Sequence, residues 1–235
     1  LIEFYYREME HAFMNTKSLL QQQAYDFIKG KILSGELEPD ILYSETKLSS
    51  EVGISRTPMR DALRCLSQDG YITIVPSKGF QIRQLTEKDM IESIQVRCAI
   101  EGFCTSIIGS EIDTPKGKEL LNSLNDILKR MRLCAEEASY NHEALEKFID
   151  YDHDFHFKIV EYVENAEFED LYQRLIYMIR LTSNTALSKK GRIQGTLKEH
   201  ELYYDALKTG NNHEAYNILI NHLLMPIKIH EESEE

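Results

Sequence analysis

From Thr86 onward, apolar residues return three and four places apart, and only five short breaks interrupt them: Asp113-Thr114-Pro115, the region of Tyr140-Asn141, Asn165, Lys190-Gly191 and Gly210-Asn211. That period belongs to helices with one buried face. It predicts six of them, at 87–109, 115–137, 141–163, 167–188, 193–209 and 213–231, antiparallel-leaning and packed as a bundle. The stripe Leu120, Leu121, Leu124, Ile127, Leu128 and Met131 is typical of the set. No apolar run approaches the roughly 20 residues that span a bilayer, and no charged-then-apolar leader opens the chain. Membrane insertion and export are not expected, and a cytoplasmic location is. Cys65, Cys98, Cys104 and Cys134 form no CxxC pair, which fits reduced thiols in that compartment.

Residues 15–85 follow another pattern. Leu19, Leu20, Ala24, Phe27, Ile28, Ile32 and Leu33 mark an amphipathic helix ending near Gly35. Glu38-Pro39-Asp40 reads as a turn. Ser44 is placed to cap a second helix that Gly53 stops, and Ser55 to cap a third with Pro58 in its first turn. Met59, Ala62, Leu63 and Leu66 form the inner face of that third helix. Tyr71-Ile72-Thr73-Ile74-Val75, a turn at Pro76-Ser77-Lys78-Gly79, and Phe80-Gln81-Ile82-Arg83 then read as a two-stranded hairpin. Two helices across a tight glycine turn followed by a hairpin make a winged helix-turn-helix. The expected fold is therefore mainly α: an N-terminal winged helix-turn-helix over 15–85, then an all-α six-helix bundle over 86–235. Residues 1–14 are read as an extension outside the functional region, since Met14 opens an ordinary-looking start.

A net charge of −12 would by itself disfavour nucleic acid as a partner, but the charge is unevenly spread. Residues 15–85 carry nine basic against eight acidic side chains, residues 86–235 carry 17 against 28, and residues 1–14 one against three. A near-neutral front joined to an acidic rear suggests two units with different tasks. On the third helix, Arg56, Thr57, Arg60 and Arg64 occupy the start and one side, opposite the apolar face. A helix N-terminus with guanidiniums around it attracts anions, and arginine reads guanine bidentately in the major groove. Lys78 and Gly79 tip the hairpin beside them.

In the rear segment, Asp152 and His156 are four apart and share a helix face. His200 precedes the Gly210-Asn211 turn by ten residues and His222 follows Asn211 by eleven. At about 1.5 Å per residue, both stand roughly 15–16 Å from that turn in a helical hairpin. His156, nine residues before Asn165, lies at a comparable depth of roughly 14 Å. One carboxylate and three imidazoles at one level suit a divalent ion such as Zn, Ni, Mn or Fe. His142, His153, His213 and His230 are expected to be ordinary histidines.

The run Glu45-Thr46-Lys47-Leu48, then Gly53 through Leu63 including Ser55-Arg56-Thr57-Pro58-Met59-Arg60, then Asp69-Gly70-Tyr71 and Gly79-Phe80, closely resembles the GntR family of bacterial transcription regulators. The resemblance implies that Arg56, Thr57 and Arg60 contact DNA and that Gly79 lies against the minor groove. Ser55, Arg64 and Lys78 complete the candidate DNA surface, as does Thr46, where many members carry a longer polar residue. The family often has Pro-Gly where this chain has Pro39-Asp40. Arg97-Cys98-Ala99-Ile100-Glu101, Asp152-His153-Asp154-Phe155-His156, Glu199-His200 with Ala206-Leu207, and Ala215 through His222-Leu223 resemble the FCD effector domain in its six-helix, VanR-like form. That likeness implies metal ligation by Asp152, His156, His200 and His222, an effector-facing Arg97, small organic acids as effectors, and a structural role for Glu101. A simple intrahelical ion pair would also account for Arg97 and Glu101.

Three functions compete on these grounds. One is a ligand-responsive regulator, expected to repress, that binds double-stranded operator DNA as a homodimer. The second is a metal-dependent hydrolase with an accessory DNA-binding unit, and the third is a direct sensor of the metal ion. Catalysis would need an open metal position with a general acid or base beside it. No HExxH-like spacing or nucleophile constellation occurs, which places the regulator first and makes an enzyme unexpected.

Overall fold

The computed structural model describes residues 19–84 and 86–234; the extension expected over 1–14 lies outside them. The chain divides between Gln84 and Leu85 into two compact units. In the first, helix α1 covers 19–33 among the described residues, followed by α2 (Glu45–Val52), α3 (Arg56–Gln68) and an antiparallel hairpin of β1 (Ile72–Val75) and β2 (Gly79–Ile82). Ala24, Ile28, Met59, Ala62, Leu66, Tyr71 and Phe80 are fully enclosed, so the expected inner face of α3 does build the core. Leu19, expected on the apolar stripe of α1, is instead 65% exposed, one turn before the stripe begins to pack.

The local chemistry explains the turns. Ser44 accepts a hydrogen bond from the Lys47 amide at the start of α2, and Gly53 ends that helix at φ 76°. Asp40 adopts φ 67°, the left-handed conformation that glycine usually supplies and Asp tolerates. Residues 39–43 then do more than turn: Tyr43 pairs with Phe80 and Pro39 with Ile82, adding an edge to the hairpin. Ser55 stands at the N-terminus of α3 but makes no capping bond. A Ser cap accepts from the amide two or three residues on, and the third position here is Pro58, which has no N–H.

The second unit is all helical among its described residues: α4 (Glu87–Glu111), α5 (Pro115–Ala135), a single 3-10 turn (Glu137–Ser139), α6 (His142–Glu161), α7 (Ala166–Leu187), α8 (Arg192–Lys208), α9 (Asn212–Leu223) and α10 (Met225–Glu234). Thr86 and Asp89 form a complete capping box at the head of α4. Asn141, Asn165 and Asn211 cap α6, α7 and α9 with their side-chain oxygens. The expected sixth helix is two, because Pro226 cannot donate to the His222 carbonyl and the chain re-starts as α10 after Leu224. The core runs from Ile100 and Cys104 on α4 through Leu124 and Met131 on α5 and Phe148 and Phe155 on α6 to Leu207 on α8 and Leu219 on α9. Arg97 and Glu101 of α4 and Asp152 and His156 of α6 are buried within it, as is His200 of α8. No helix among the described residues is long and apolar enough to cross a membrane.

Candidate metal centre and nucleic-acid surface

Asp152 and His156 from α6, His200 from α8 and His222 from α9 bring one ligand atom each to within 4.8 Å of one another. The His156 Nε2 stands 3.0 Å from the His222 Nε2 and 3.1 Å from the His200 Nε2, and the latter lies 3.5 Å from the Asp152 Oδ1. All four residues expected from spacing are thus brought together. His142, His153, His213 and His230 stay outside the cluster.

Two carboxylates decide which nitrogens face inward. The Glu101 Oε2 lies 2.6 Å from the His156 Nδ1, and the Glu199 Oε2 lies 2.7 Å from the His222 Nδ1. A carboxylate that accepts an Nδ1–H turns the Nε2 of the same ring inward, toward the other imidazoles. Two Nε2 atoms 3.0 Å apart are close enough for one ion, at an ordinary metal–nitrogen distance of about 2.1 Å, to reach both. Burial, with the Arg97 guanidinium and His222 nearby, holds the His156 imidazole far below its usual range; burial and the other two imidazoles do the same for His200. Both rings are therefore neutral, which is the ligating form. Burial raises the Asp152 carboxyl, and its Oδ1 has no hydrogen-bond partner. Three converging imidazoles, two of them held neutral by burial, with an unsatisfied Asp152 oxygen and two rings anchored by outer carboxylates, fit a divalent cation.

Glu101, expected to be structural, sits at the junction of two helices. It makes the intrahelical ion pair with Arg97 at 2.8 Å, with both side chains buried. Its other oxygen holds His156. Glu199 went unassigned in the sequence because it precedes His200 by one residue and serves a histidine on another helix. Its burial opposes ionisation, yet the His222 and Arg192 contacts hold its carboxyl down at about 2. Arg192 grips it through both Nη groups, at 2.9 and 3.0 Å.

Beside the cluster lies a small cavity of about 30 Å³ edged by Arg97, Asp152, Arg192, Leu187, His222 and Leu223. The Arg97 Nη2 and the Arg192 Nε are buried without hydrogen-bond partners. Guanidinium N–H groups left open at such a wall favour an anionic guest.

On the first unit, Thr46, Arg56, Arg60, Arg64, Lys78 and Gly79 line one groove of about 470 Å³ between α2, α3 and the hairpin. Ser55 and Thr57 are exposed at the head of α3 but do not line it. Arg64 lies 3.5 Å from Asp61, and Arg60 donates through Nε to Glu45 at 2.8 Å. Gly79 has a structural demand of its own: at φ 136°, a Cβ there would stand 2.0 Å from the Tyr43 carbonyl oxygen.

The FCD domain family matches residues 92–224, more than half of the chain, and the gntR family of bacterial regulatory proteins matches residues 20–82. The HTH-type transcriptional regulator YdhC of Bacillus subtilis is 28% identical over 203 residues, covering 85% of this chain and 86% of its own. The gluconate operon transcriptional repressor of Bacillus licheniformis is 29% identical over 190 residues, covering 77% and 73%. Among solved structures, McbR/YncC of Escherichia coli shares the fold with a TM-score of 0.73 at 17% identity, over 92% of this chain and 99% of that one. The members of these families are regulators of transcription, not enzymes. With its winged helix-turn-helix and its helical effector-type unit, the chain belongs to the GntR family of bacterial regulators, in the branch that carries an FCD domain.

Proposed function

We propose that the chain is a cytoplasmic, ligand-responsive repressor that binds operator DNA as a homodimer and responds to a small organic acid at a metal-assisted site. The observation that carries this reading is the convergence of three imidazoles and Asp152 beside a cavity lined by Arg97 and Arg192, each with a buried, unpartnered guanidinium nitrogen. Relatives named as repressors, the gluconate operon repressor and the Escherichia coli repressor GlaR, support the sign of regulation.

Asp152, His156, His200 and His222 would hold the ion, with Glu101 and Glu199 anchoring the His156 and His222 rings from outside. When bound, a divalent ion supplies a Lewis-acidic point for a carboxylate oxygen. Arg97, which lines the cavity and has an Nη2 already buried without a partner, supplies the second contact. Leu187 and Leu223 give the cavity its apolar wall. On the other unit, Arg56, Thr57 and Arg60 enter the major groove from α3, with Ser55, Arg64 and Thr46 beside them and Lys78 and Gly79 on the wing. Two copies reach successive grooves about 34 Å apart on a near-palindromic site. The effector biases that spacing to the extent that it binds the two arrangements unequally.

The test replaces His200 and His222 together by Ala in the full chain. Elemental analysis is expected to find a divalent ion in the wild type and none in the double variant. A panel of small carboxylates is then expected to change gel shifts of the wild type on a duplex it has selected from a randomised pool, and to leave the variant's shifts unchanged. Equal metal content in both proteins would place the ion elsewhere. Release by added metal alone would make the ion itself the signal.

A further inference from the structure

The groove on the first unit is bordered by four cations, Arg56, Arg60, Arg64 and Lys78, and by a single acid among its described lining residues, Glu45. A carboxylate on a surface that meets phosphates weakens attraction to every duplex alike. Its pair with Arg60 is no compensation in stability, because the Arg60 side chain is 59% exposed and exposed pairs contribute little. The geometry offers another account. Glu45 is the first residue of α2, directly after the capping Ser44, so its backbone is fixed. From there its Oε1 accepts the Arg60 Nε–H at 2.8 Å across the helix-turn-helix. A guanidinium held at Nε is fixed in plane and keeps both Nη groups, the fork that matches guanine O6 and N7, free of that contact.

We infer that Glu45 is a positioning residue for sequence readout: it aims Arg60 at a base edge and at the same time lowers affinity for DNA that offers no guanine there. A flexible arginine would pair with whichever phosphate is nearest, and tethering it moves its contribution from general affinity to discrimination. Entropy points the same way, since a long side chain ordered before binding loses less on contact.

The inference rests on Arg60 reading a base, so the experiment tests both parts. Wild type, R60A, E45A and E45Q are each measured as full-length protein, by fluorescence anisotropy at fixed salt. The probes are the duplex that the wild type selects from a randomised pool, that duplex substituted at each position, and an unrelated duplex. R60A is expected to flatten preference at one position by about 5- to 150-fold, the worth of one bidentate contact. E45A is expected to lose most of the preference at that same position while binding the unrelated duplex more tightly. E45Q, whose amide oxygen still accepts from Nε, is expected to keep the preference while sharing the gain in unrelated binding. A purely structural role for Glu45 would instead weaken all duplexes together and lower the melting temperature. The inference is overturned if E45A retains the Arg60-dependent preference, or if E45Q loses it as fully as E45A does. If R60A changes no base preference, the reading of Arg60 falls first and the inference with it.

Discussion

Glu199 stands next to His200 in the chain but turns toward His222 on the following helix, with Arg192 closing the other side of its carboxylate. That arrangement lets one ionised group fix an imidazole without itself touching the ligand cluster. In E199Q the side-chain oxygen remains but its charge does not, and the His222 ring becomes a weaker donor toward an ion. The expected outcome is Zn²⁺ affinity reduced by about 10- to 100-fold in competition with a chelator, with helical content unchanged. The four candidate ligands were legible in the sequence because helical spacing and equal distance from a turn are properties of one dimension. Glu101 and Glu199 were not legible as orienting groups, since their role depends on how α4, α8 and α9 are rotated against each other. Arg192, seven residues before Glu199 and so two turns away on one face, carried the only sequence signal that Glu199 had a partner.

At the level of the helix, the two serine caps separate position from function. Ser44 and Ser55 both precede helices with suitable backbone, at φ −88° and −74°, yet only Ser44 accepts an amide. In S44A the first turn of α2 is expected to lose about 1 kcal/mol, read as exchange of the Lys47 amide about fivefold faster. S55A is expected to leave exchange of the α3 amides unchanged, so that any loss of DNA binding in this variant would point to the proposed hydroxyl contact rather than to a frayed helix. Pro226 teaches the same lesson at the other end of the chain. Apolar periodicity ran straight through it, so one helix was expected, whereas the missing N–H separates α9 from α10. Helix boundaries elsewhere agree within two or three residues because Asn141, Asn165 and the Thr86–Asp89 box announce them chemically.

For the whole molecule, the helical unit has a contiguous core of its own from α4 to α9, which is what independent folding requires. Residues 86–235 expressed alone are expected to remain helical and to elute as a dimer on sizing; a monomer would remove pairing through this unit from the proposal. The winged unit raises a different issue. The Tyr43 carbonyl lodges where Gly79 has no side chain, and residues 39–43 are stitched to β2 on one side while leading into α2 on the other. Hairpin and helix pair are thereby tied to each other through backbone on both sides of this segment. Descendants of this chain that come to recognise new operators must therefore exchange the side chains carried on these parts rather than re-angle them, and the glycine is the position that such drift can least afford to fill.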